Sequence, residues 1–224
     1  MRESGSSPKQ IAKKLGLRPS AVAPLIRRVA AVRQDVEPAQ RALLGCWISS
    51  GWSTGLDLAA VPEWAEADPD DESEPAIGEL VQVLIARQER ASRATVCGFL
   101  VDTYCLGVKN VTGPSVMGAG SLDSYRREFY RAYEDAPISV PIELAQQVVL
   151  GAVDYARGLG FAPLPAFDVA AVHLGVPEGP SPIGFGFNGK PFYLAGPHDN
   201  PRADLRTLEA SVGAGNFDFI ANAF

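Results

Sequence analysis

Leu80-Val81-Gln82-Val83-Leu84-Ile85-Ala86-Arg87 and, after a polar connector, Ala94-Thr95-Val96-Cys97-Gly98-Phe99-Leu100-Val101-Asp102 are the two stretches on which the fold turns. Both are short, rich in β-branched and aromatic residues and bounded by polar groups, a pattern that predicts an antiparallel hairpin. Their nearly unbroken hydrophobicity predicts a strand pair buried on both faces.

Working outward toward the C-terminus, Ser121 is placed to start a helix running to about Tyr133. Pro141 opens another, in which Ile142, Ala145, Val149, Ala152 and Ala156 recur at helical spacing until Gly158 and Gly160. Asn188-Gly189, between Ile183–Phe187 and Lys190–Leu194, is the strongest short-range hairpin signal in the chain. Asp199 or Asn200 followed by Pro201 opens a last helix, ending near Gly213 and Gly215. The order of hairpin, two helices, hairpin, helix predicts an α+β fold, an antiparallel sheet built from hairpins with helices packed on one face. Toward the N-terminus, Ala42, Leu43, Cys46, Trp47 and Ile48 suggest a packed helix over Val36–Trp52, and Glu66–Glu74 reads as an acidic surface loop. Three regions are expected: a basic helical segment over 1–35, a helical connector with the acidic loop over 36–75, and an α+β domain over 76–224.

The 224 residues are 46% hydrophobic with a formal net charge of −6, which excludes global disorder. No apolar run is long enough to span a bilayer, and the expectation is a soluble, cytoplasmic protein without a membrane partner. Cys46, Cys97 and Cys105 form no CxxC pair and no disulfide framework, so they read as reduced thiols. The net charge hides an asymmetry. Residues 1–33 carry eight Lys and Arg against Glu3 alone, a charge of +7, which leaves −13 on the remainder.

Within the basic segment, Ser7 is a suitable N-cap with Pro8 at the first helical position, and Ile11, Ala12 and Leu15 form one apolar stripe that stops at Gly16. A second helix from Ser20 would turn Val22, Leu25, Ile26 and Val29 inward, with Pro24 in about its first turn. Ala12, Gly16, Val22 and Leu25, at steps of four, six and three, resemble the helix-turn-helix of bacterial DNA-binding proteins. The resemblance implies that Ser20–Arg28 is a recognition helix and that Lys13, Lys14, Arg18, Ser20, Arg27 and Arg28 contact nucleic acid. It implies DNA as partner, with RNA as the alternative, and a homodimer presenting two copies.

Gly184-Phe185-Gly186-Phe187-Asn188-Gly189-Lys190 matches both GxGxxG and GxxxxGK, yet Pro191 stands where a P-loop needs Ser or Thr, and strand rather than helix follows. It reads as a glycine-containing hairpin. Phe99–Asn110 gathers an acid, a phenol, a thiol and a lysine at a strand end. With Asp154-Tyr155-Ala156 and Gly196-Pro197-His198-Asp199, it resembles a group of uncharacterised bacterial proteins sharing a phrase close to LVDxYCLGVK, over most of residues 78–200. That resemblance implies a common fold and brings no activity.

Chemically, Cys105 could be a nucleophile favoured by Lys109, with His198 or His173 as base and Asp102 as orienter, or it could be a small buried hydrophobe. Asp102, His173, His198 and Asp199 lack metal-ligand spacing, so no metal and no cofactor are expected. Tyr125, Phe129 and Tyr133, beside Arg126, Arg127 and Arg131, form either a core stripe or a stacking surface for RNA. The leading expectation is a DNA-binding transcriptional regulator with an acidic sensing or oligomerisation domain. The alternatives are an enzyme, a hydrolase or transferase, centred on Asp102, Cys105, Lys109 and His198, and a protein or ribonucleoprotein docking module.

Overall fold

The computed structural model describes residues 7–34, 36–66 and 80–220. The chain is α+β. Its centre is a five-stranded antiparallel sheet in the order β4-β3-β2-β1-β5, formed by β1 (Leu43–Ile48), β2 (Val81–Arg90), β3 (Arg93–Asp102), β4 (Gly107–Gly118) and β5 (Ile138–Ser139). The β2–β3 hairpin lies where the sequence predicts it, with Val83 opposite Phe99 and Ile85 opposite Cys97.

Side chains alternate across a strand, so each strand feeds two cores. On one face Cys46, Ile48, Val83, Ile85, Cys97 and Phe99 meet α4 (Ile142–Gly158) and α5 (Pro165–Ala171), through Val148, Val149, Ala152 and Phe167. On the other, Trp47, Leu84, Ala86 and Val96 meet Tyr130 and the stripe Tyr125, Phe129, Tyr133, which begins on α3 (Leu122–Phe129). Gly98 allows this second layer to sit close, since a Cβ there would come within 2.4 Å of the Phe129 ring. The helices therefore cover both faces, not one as the element order suggested. The aromatic stripe packs on the sheet, which is its core reading and not the RNA-stacking one.

The expected helix over Val36–Trp52 is instead strand β1, paired with β2 and β5, preceded by a single helical turn at Pro38–Gln40. With helices on both faces, a central strand is apolar at every position, and such a run cannot be told from a buried helix by periodicity. Residues 43–48 thus belong to the same sheet as the strands after residue 80. β4 is an edge strand whose Gly113 and Pro114 resemble breakers in sequence; an edge position tolerates a missing N–H.

The Asn188–Gly189 turn is present, with Phe187 bridging Lys190 and both turn residues at positive φ (51° and 78°). It does not extend into a hairpin. Pro191 has no N–H to continue the ladder, Gly184 pairs instead with Asp57, and β6 (Phe192–Leu194) runs parallel to β7 (Asp218–Ile220). Behind β6, α6 (Pro201–Val212) starts at Asn200, whose side chain accepts the Ala203 N–H, and closes a third core of Cys105, Leu159, Tyr193 and Leu208.

At the N-terminus, α1 (Pro8–Leu15) and α2 (Pro19–Gln34) pack on each other through Ile11, Ala12, Val22 and Ile26. Ser7 accepts the Gln10 N–H, and the Gln10 side chain returns to the Ser7 N–H at 2.7 Å, a capping box. Gly16 ends α1 in the left-handed region (φ 64°), its expected place. Leu25, expected inward, is half exposed at 50%, and the side chain of Val29 lies outside the described residues. No α-helix lies over residues 36–50.

Candidate functional site

Two places carry the sequence-predicted site residues, and the structure treats them differently. On the helix pair, Lys13, Lys14, Arg18, Ser20 and Arg28 are all exposed. The Arg27 side chain lies outside the described residues. Lys13 and Lys14 occupy the last turn of α1, where cations suit the negative end of the helix dipole. Arg18 follows in the turn and Ser20 sits in the first turn of α2, so the cations of α1, the turn and α2 succeed one another without an intervening acid.

The second place is the β3–β4 loop. Asp102 ends β3, and its Oδ1 accepts the N–H groups of Tyr104 and Cys105, both at 2.9 Å. Burial raises its carboxyl above the usual range, opposed by the bonds from Tyr104, the charge of Lys109 and the bonds from Cys105 and Leu106. These contacts make Asp102 the post around which the loop is wound. Cys105 is fully buried among Leu159, Tyr193 and Leu208, and burial, reinforced by Asp102 and Asp204, drives its thiol upward. A thiol so placed stays protonated and is poorly suited to nucleophilic attack.

Lys109 reaches the other way. Its Nζ lies 2.6 Å from Asp199 Oδ2, a half-buried ion pair whose carboxylate also accepts the Gly196 N–H at 2.7 Å. This clamp ties β4 to the loop before α6. His198, next to Asp199, is exposed. The proposed thiol, lysine and histidine are therefore committed to a core, a clamp and the surface, respectively.

His173 lies elsewhere, buried beside a group that sequence reasoning passed over. Arg87 is only 5% exposed, and its guanidinium donates to the carbonyls of His173 (2.6 Å), Arg41 (2.9 Å) and Leu174 (3.4 Å). The chain just beyond α5 thus presents its orphan carbonyls to a cation, a favourable helix-end arrangement. Burial lowers the Arg87 pKa, while Cys46 and Cys97, whose thiols burial pushes up to about 12, act on it in the opposite sense. Burial and the nearby Arg41 and Arg87 lower the His173 pKa, and its Nδ1 has no hydrogen-bond partner among the described residues. The signal for Arg87 was present: it continues the inward alternation of Val83 and Ile85, a cation on a core-facing row.

Gly184 and Gly186 of the Gly184–Lys190 segment serve close packing, and Gly189 serves the turn. A Cβ at Gly186 would lie 2.7 Å from both the Lys190 carbonyl and the Tyr155 hydroxyl, and one at Gly184 2.8 Å from the Asp57 Cβ. Strand β6 follows, so the loop does not lead into a helix whose N-terminus would meet phosphate. Among the described residues no three His, Cys, Asp or Glu side chains come together as a metal site, and no helix is long and apolar enough to cross a membrane.

Sequence reasoning also passed over an open groove of about 610 Å³ between the Trp52–Glu66 segment and the start of α4. Its sequence trace is Pro62-Glu63-Trp64-Ala65-Glu66, an indole between two acids. Comparison of the chain with protein-family models, with curated proteins and with solved structures finds no match to any of the three.

Proposed function

We propose that residues 7–34 are a nucleic-acid-binding arm and that the protein is a DNA-binding regulator, its acidic α+β body serving self-association or ligand sensing. The observation that carries this reading is charge: Lys9, Lys13, Lys14, Arg18, Arg27, Arg28 and Arg33 occur with no Asp or Glu anywhere from residue 7 to 34. A solvated surface helix ordinarily alternates signs, as α3 and the turn after it do with Asp123–Arg126 and Glu128–Arg131. A run of one sign held on two packed helices matches a polyanion.

On this reading α2 is the recognition helix, with Ser20 toward base edges and Lys13, Lys14, Arg18, Arg27 and Arg28 on phosphates. At 16 residues it is about 24 Å long, enough to cross a major groove. A two-helix unit offers little contact area, so a homodimer placing two arms one DNA turn apart is the natural arrangement.

The test is fluorescence anisotropy of the full chain on duplex DNA across a salt series. Contact with about five phosphates gives a log–log slope near −4.5, and an Arg18→Ala, Arg28→Ala double variant shallows it by about 2 units. No binding to duplex DNA at low salt, or a slope the double variant leaves unchanged, overturns the DNA reading. Single-stranded RNA in the same assay separates the two nucleic acids.

A further inference from the structure

We propose that the groove beside α4 binds a small organic cation with an apolar body, an alkyl- or arylammonium. This site lies in the α+β body and does not depend on the nucleic-acid reading. Trp52, Trp64, Pro141 and Leu144 supply indole and aliphatic walls, Glu63 and Glu66 supply charge, and among the described residues no Lys, Arg or His lines the groove.

Its volume, about 610 Å³, falls in the range of small-molecule sites. The carboxylates choose among small molecules. Glu66 is fixed in place by the Gly51 N–H (3.1 Å), the Ser53 N–H (3.4 Å) and the Ser53 hydroxyl (3.3 Å), so its charge cannot swing away from an occupant. Glu63 is exposed and free to close on a charged head.

An anion would be repelled, and a purely apolar occupant would strip water from two carboxylates without replacing its bonds. A cation is attracted both by them and by the indole faces, which favour diffuse ammonium charge.

Two of the chain's three tryptophans line the groove. The third, Trp47, packs on the opposite face of the sheet, beneath Arg126 at 5.0 Å. Tryptophan emission therefore reports on the site. Titrating the full chain with benzyltrimethylammonium should give a saturable change that persists in Trp47→Phe. Benzyl alcohol and benzoate, which keep the ring but not the positive charge, should bind at least tenfold more weakly.

Glu63→Gln should weaken the ammonium at least threefold and Trp64→Leu at least fivefold, each with a melting curve to confirm folding. Glu63, on the exposed rim, carries the test if the Trp64 variant does not fold. Equal binding of benzyl alcohol, no saturable response to the ammonium, or full retention in Glu63→Gln overturns the proposal.

Discussion

The helix pair at the N-terminus and the sheet body are built from the same principles at different scales. Among the described residues the pair buries Ile11, Ala12 and Val22, with Ile26 half-covered, and leaves Leu15, Leu17 and Leu25 between 44% and 50% exposed. The sheet face beneath α4 and α5 buries twenty-one, among them Phe99, Ile85 and Val148 at 1% exposure or less. At roughly 1.5–3 kcal/mol for each large apolar side chain, the body can offset its chain entropy from its own core, whereas the described residues of the pair offer fewer such side chains beside their caps and turns. A small element held by local interactions and covered in cations is one whose order a bound polyanion can complete.

The largest effect that could break this comparison lies in the body. Phe99→Ala removes a fully buried ring that meets Phe167 edge-on at 6.2 Å, and should cost about 3–5 kcal/mol and lower the melting temperature of the whole sheet. Val22→Ala should cost about 1–2 kcal/mol, and amide exchange should place that loss on residues 8–34 alone. If Val22→Ala lowers the melting temperature of the body as Phe99→Ala does, the two regions form one cooperative unit and the contrast fails.

An intermediate effect compares how the two regions close their turns. The α1–α2 turn is closed by backbone bonds, from the Gly16 N–H to Ala12 and Lys13. The β3–β4 loop is closed by a buried carboxylate. Asp102→Ala leaves the Tyr104 and Cys105 N–H groups without their acceptor and should cost about 1–3 kcal/mol. Asp102→Asn retains an oxygen acceptor and should lose less.

The same pair of variants separates charge from hydrogen bonding through pH. Burial holds the folded pKa of Asp102 above its unfolded value, so between the two the folded state binds more protons. Stability should therefore fall as pH rises from about 3.9 through the folded pKa. Denaturant melts from pH 4 to 8 should show that fall flattened in Asp102→Asn. A steeper fall in the variant would mean that the charge itself, attracted by Lys109, holds the loop.

How far the sequence disclosed these features follows from how local each is. Ser7, Gly16, Asn188–Gly189 and Asn200–Pro201 act within a few residues, and each marks the turn or helix end it predicts. β2 and β3 declare themselves by composition. β1 does not, because helices on both faces remove its polar alternation and leave Leu43–Ile48 ambiguous between strand and helix. β4 is hidden by Gly113 and Pro114, tolerable only once its edge position is known. The chemistry around Cys105 needed depth and direction as well as proximity. Asp102, Cys105 and Lys109 are near one another in sequence, but one winds a loop, one fills a core and one clamps Asp199. The tryptophan groove escaped for the opposite reason, since its walls come from segments some seventy residues apart.

The smallest expected effect sharpens the contrast at the proposed interface itself. Between Pro19 and Ile26 the exposed side chains of α2 are Ser20, Ala21, Pro24 and Leu25, and only Ser20 can hydrogen-bond. If the arm enters a major groove, its first turns meet the bases mainly with apolar groups, for which the thymine C5-methyl is the matching feature. Replacing thymine by uracil throughout a duplex removes those methyls without touching the phosphates. Affinity should then fall about fourfold, the worth of one buried methyl-sized contact, with the salt slope unchanged. Leu25→Ser should abolish the difference between the two duplexes. Equal affinity for both would leave phosphate contact as the arm's whole recognition, whereas a changed salt slope would mean that the substitution had altered the docking and not the reading of bases.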